Sequence, residues 1–185
     1  MDISEFFQLT KAPATVAHVI SVIFGMGAAL VSDLLFSFFA KDKKLNSTEF
    51  STLDILSKVV LYSLVFISIS GIFIFFSDVD KYLNSPKFLA KMSILVFLLV
   101  NGYLLNRYIW PHLLNKNFFT LKKERNIRRL AFVFGAVSVT SWLCVCVLGV
   151  LDKLNMSYSF IMTIYLGFIV VGSLVALAVE KKEFN

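Results

Sequence analysis

Few side chains in this chain can do chemistry, and most of them lie inside long apolar runs. The first run, PATVAHVISVIFGMGAALVSDLLFSFFA from Pro13 to Ala40, carries His18 near one end and Asp33 near the other. On a helix turning about 100° per residue, the fifteen positions between them leave the two within about 60° of each other. Gly25, Ala29, Ser32 and Phe36 fall on that strip, while Ile20, Ile23, Phe24, Val31 and Leu34 fall on the other side. A neutral imidazole is a ready ligand for a metal ion or a haem iron. A carboxyl in hydrocarbon suits a proton or ion relay.

Each ionisable group at mid-membrane costs at least about 2.5–3.5 kcal/mol and asks for an explanation. Lys91, in KFLAKMSILVF, enters its own run at a depth similar to that of His18. Two readings stand. Lys91 snorkels to the headgroups while His18 bonds a neighbouring helix. Alternatively, His18 ligates a metal or haem, with Lys91 as second ligand or as partner for an anionic group. Asp33 has four candidate partners at its own depth: Lys58 and Tyr62 on the second run, and Asn106 and Arg107 on the third. These residues, with Asn101, make up an expected intramembrane polar cluster that either clasps helices or relays ions. His112 lies a bilayer thickness from His18, so the two histidines cannot share one haem iron. Cys144 and Cys146 point about 200° apart on a helix and read as small packing residues. No phosphate loop, HExxH, nucleophile–base set or carboxylate pair is present.

The elements that position these residues are five apolar runs, at about 13–40, 53–77, 88–110, 129–151 and 156–179. Each is long enough to cross about 30 Å of hydrocarbon at about 1.5 Å per residue. Their continuous apolarity implies helices rather than a barrel. The expected fold is an all-α, polytopic transmembrane bundle forming one integral-membrane domain over 1–185, with the first run as its central packing element. Pro111 is expected to end the third span. The stretches 41–52, 77–87 and 112–128 are expected loops, 151–156 a tight turn and 180–185 a short charged tail. Gly135, Ser138, Trp142 and Gly149 suggest a close-packed seam on the fourth span, as do Ser68, Ser70 and Gly71 on the second and Gly167, Gly172, Ser173 and Ala176 on the fifth.

Of the 185 residues, 58% are hydrophobic and 16% charged, which fits neither a soluble enzyme nor a nucleic-acid binder. The net charge of +6 follows from topology instead. Thirteen of the eighteen lysines and arginines fall on one side of the spans and five on the other, placing the first side in the cytoplasm. The amino terminus is then outside and the carboxyl terminus inside. The start, MDISEFFQLTK, is acidic and polar and reads as the lead of a reverse signal anchor. The basic loop 112–129, with its LKKERNIRR, is a topology determinant. It also suits anionic headgroups, at about 1 kcal/mol per basic residue.

The first three spans resemble a known group. An early histidine followed by glycines (AHVISVIFGMG), a second span ending in SGIF, and a third opening on a lysine and running to NG (KFLAKMSILVFLLVNG) are similar to the CopD-like membrane superfamily. That superfamily holds the copper-resistance D proteins and, more distantly, the HemJ-type protoporphyrinogen oxidases. The resemblance covers about 13–112. It implies a bacterial inner-membrane protein with a haem- or metal-linked redox role, haem b as the associated cofactor, and His18 and Lys91 as the matching functional positions. The residues themselves leave two other classes open. One is a small transporter or channel subunit, with its path between the first and third spans. The other is a non-catalytic scaffold or accessory subunit, either as a homo-oligomer or with a membrane partner.

Overall fold

The computed structural model describes residues 3–41, 45–113, 118–119, 121–151 and 155–184, and every regular element among them is helical. Five helices are long and apolar enough to cross a bilayer. They are α1 (Ile3–Lys41), α2 (Ser47–Phe76), α4 (Pro86–Leu104, prolonged to Leu113), α6 (Arg125–Val150) and α7 (Tyr158–Phe184). Beside them stand two short α-helices, α3 (Val79–Leu83) and α5 (Trp110–Leu113), a π turn (Leu105–Ile109) and a 3-10 turn (Lys122–Glu124). The all-α bundle of five spans is therefore the fold.

Local chemistry fixes where these helices begin. Asn46 caps α2 in a reciprocal box, its Oδ1 accepting from the Glu49 N–H at 2.8 Å while Glu49 accepts from the Asn46 N–H at 2.8 Å. Ser85 caps α4 ahead of Pro86, whose missing N–H costs nothing in the first turn. Asp78 caps α3, so the expected loop 77–87 holds a helical turn.

Two expected boundaries move. The first helix starts at Ile3, ten residues before Pro13, and Pro13 lies inside it. The leading segment is held by aromatic contacts, with Phe7 5.7 Å from Phe73 and 5.3 Å from Phe76, and by Gln8 donating to the Ser77 carbonyl at 3.2 Å. At about 1.5 Å per residue α1 runs about 58 Å, so it projects beyond the hydrocarbon or tilts within it. The third span does not stop at Pro111. A π-helical turn, Leu105–Ile109, precedes it, and the Trp110 N–H bonds the Leu105 carbonyl five residues back. The wider turn gives the proline ring room where an ordinary α turn would set a carbonyl against it, so the helix carries on through α5.

Packing also corrects the expected centre of the bundle. α1 lies closely along α2, but α6 is the hub, touching α1, α4 and α7. Trp142 of α6 is 1% exposed and sits among Ala29, Leu64, Ile67 and Leu98, the middle layer of the core. Gly25 lets that indole approach, since a Cβ there would stand 2.7 Å from it and 2.9 Å from Ser63 Cβ. A second layer, at the end that the charge asymmetry predicts to be outer, joins Ala90, Ile94, Leu148, Ile161 and Tyr165. An inner layer joins Ala40, Ile109, Leu113, Phe118, Phe119, Ala131 and Phe132. The predicted outward residues of α1 do face away from the core: Ile20, Ile23, Phe24, Val31 and Leu34 are 47–71% exposed, as lipid-facing side chains should be. Of the expected seams, Gly135 and Trp142 face α1 and Gly149 faces α4. Gly167 faces open space.

Candidate functional site

The outer polar layer is built by α1, α2 and α4. His18 Nδ1 stands 3.1 Å from Ser70 Oγ. Ser70 spends its only proton on backbone carbonyls of its own helix, Phe66 O at 2.6 Å and Ile67 O at 3.2 Å. Ser70 Oγ is thus placed to accept from the imidazole at Nδ1. The Ile67 backbone is a further hydrogen-bond partner of the ring. Gly71 leaves space beside the ring, where a Cβ would be 3.7 Å from Cε1. Ser70 lies six residues from the end of α2 and Lys91 five residues after the start of α4, so both sit in the outer part of the bundle.

Lys91 bears on His18 electrostatically but is not its hydrogen-bond partner. Its ammonium is directed at α6, where a Cβ on Gly149 would be 4.0 Å from Nζ. Where a path between the first and third spans was expected, the core includes the apolar side chains Trp142, Leu98 and Leu95.

The inner layer differs from the expected cluster. Asp33 is not brought to Lys58, Tyr62, Asn106 or Arg107. Lys58 pairs with Asp54 one turn away at 2.7 Å, and Tyr62, Asn106 and Arg107 are exposed. The reason is rotational: Asp33 faces α6, which hydropathy alone could not place beside α1. A Cβ on Gly135 would stand 2.9 Å from Asp33 Oδ1. Asn101 is buried and donates to the Phe134 carbonyl at 3.1 Å, a clasp between α4 and α6.

One cluster has no counterpart in the sequence reading. Glu180 is 1% exposed and accepts from Arg128 Nε at 2.9 Å and from Arg129 Nε at 3.3 Å. Arg128 also donates to the Phe119 carbonyl at 3.1 Å and lies 4.3 Å over the Phe184 ring. His112 and Glu124 pair at 2.9 Å. The expected charged tail is thus the last turn of α7, and half of the basic pair expected to meet headgroups is buried on a carboxylate. Lys123 remains exposed, whereas residues 114–117 and 120 of that loop lie outside the described set, as do 152–154 of the expected turn. The signal was legible in principle: an acid closing one span faces two arginines opening another on the same side.

Among the described residues no three His, Cys, Asp or Glu side chains converge as a metal centre. Cys144 and Cys146 are free, and Cys144 packs against the outer core layer. No family model, curated protein or solved structure matches this chain.

Proposed function

We propose that this five-span membrane protein is a haem-linked redox protein of the bacterial inner membrane, in which His18 would hold the group and Lys91 would set the charge beside it. The observation that carries this reading is the Ser70 contact that anchors the half-buried His18 ring at Nδ1. A ligating imidazole is oriented in this way, by a hydrogen bond at the nitrogen that does not ligate. The donor set suits haem better than a bare metal ion. A protein-only centre asks for about four ligands, and here one imidazole stands without companions, whereas a porphyrin brings its own four nitrogens. When bound, haem supplies one-electron chemistry. The residues of this chain orient the ligating ring, place a positive charge near it and seal the layer beneath with Trp142. Orientation follows the charge asymmetry, with the His18 layer outside and the Glu180 clasp facing the cytoplasm. The matching lysine and histidine positions of the CopD-like resemblance support the same site.

The test is the absorption spectrum of protein purified from haem-replete cells. A Soret band that His18→Ala abolishes is expected. Colourless wild-type protein overturns the proposal, and so does a band that survives the substitution.

A further inference from the structure

The inner half of the bundle holds a carboxyl that the haem reading does not use. Asp33 has no ion-pair or hydrogen-bond partner among the described residues. Arg128 and Arg129 of α6 are tied to Glu180 of α7, and Lys58 of α2 is tied to Asp54. The carboxyl lines a groove of about 360 Å³ between α1, α6 and α7. That size falls in the range of small-molecule sites.

The groove is shaped around polar atoms. Gly135 makes way for Asp33 Oδ1, and a Cβ on Gly172 would stand 3.1 Å from Thr140 Oγ1. Two glycines on facing helices thus keep two polar groups uncovered. Ser37, one turn beyond Asp33, lines the same space. Neither Ser37 nor Thr140 bonds a carbonyl of its own helix, in contrast to Ser21, Ser68 and Ser141, which each bond one four residues back. The remaining wall is hydrocarbon and aromatic, with Phe36, Phe132, Val175 and Val179.

A lone carboxyl in such surroundings is held neutral by a proton unless a cation joins it, so a bound cation would find its counter-charge there. A hard metal ion asks for six or more oxygen ligands, which one carboxylate and two hydroxyls do not supply. The volume also exceeds what a bare ion fills. We propose that this groove binds a lipophilic organic monocation, its charge on Asp33 and its apolar body against α6 and α7. The site is independent of His18, which lies fifteen residues away along α1, about 22 Å at the helical rise.

Tetraphenylphosphonium and tetraphenylborate share a shape and differ in the sign of their charge, so they test the proposal together. Equilibrium dialysis against the protein in lipid nanodiscs should show saturable binding of the phosphonium above empty discs and none of the borate. Asp33→Asn should weaken phosphonium binding at least tenfold. Gly135→Ala, which crowds Oδ1, should weaken it while the helical circular dichroism is kept. Borate binding equal to phosphonium binding would show mere partition into an apolar groove and overturn the proposal. Binding that is absent, or unchanged in both variants, overturns it as well.

Discussion

Ser70 decides what His18 can do. Its Oγ meets Nδ1 at 3.1 Å and anchors the ring from that side. Ser70→Ala removes that anchor at a cost of about 0.5–1.5 kcal/mol and loosens the ring. The expected outcome is a lower melting temperature and faster haem loss, read by transfer of haem to an apo-globin trap. Glu180 makes a comparable argument at the opposite end. Breaking a buried ion pair by removing one partner costs about 3–5 kcal/mol, because the surviving charge is left uncompensated. Glu180→Gln should therefore lower the melting temperature in detergent far more than Asp54→Asn, which breaks only the partly exposed pair with Lys58. Equal losses from the two substitutions would remove Glu180 from the account of stability.

At the scale of helices, Gly25 and Gly27 make a matched pair two residues apart. A Cβ at Gly25 meets Trp142 and Ser63 at under 3 Å, while one at Gly27 meets nothing within 4 Å. Gly25→Ala should destabilise by about 1–3 kcal/mol through overpacking of the α1–α6 contact. Gly27→Ala should be neutral or slightly stabilising, since alanine is the better helix former. Thermal unfolding of the two variants side by side checks both signs. The lipid-facing strip of α1 was legible in the sequence because it depends only on helical period and hydropathy. The neighbours of Asp33 were not, because five apolar helices of similar length admit many arrangements and hydropathy does not say which helix packs on which. Pro111 misled for a related reason. The rule that proline ends a helix is local, and the π turn before it is a way to satisfy the backbone while keeping the span intact. The Glu180 clasp was missed because its members were weighed separately, two arginines as topology signals and one acid as part of a tail.

For the whole molecule, the spans define a frame with two polar layers and a charged inner seal, separated by the Trp142 core. The frame has a direction. With Cys144 and Cys146 changed to Ala, a single cysteine at Asn84 should react with an impermeant maleimide added outside intact cells, and one at Lys123 should not. Reversed labelling would turn the molecule over and put the His18 layer on the cytoplasmic side. On the proposed haem reading, independence of the two layers means that the group depends on His18 and not on Asp33. The decisive measurement is haem content by the pyridine haemochrome method for wild-type, His18→Ala and Asp33→Asn proteins purified in parallel. Stoichiometric haem b in wild-type and Asp33→Asn, with none in His18→Ala, is the predicted result. Haem absent from the wild-type protein, or retained by His18→Ala, would contradict it.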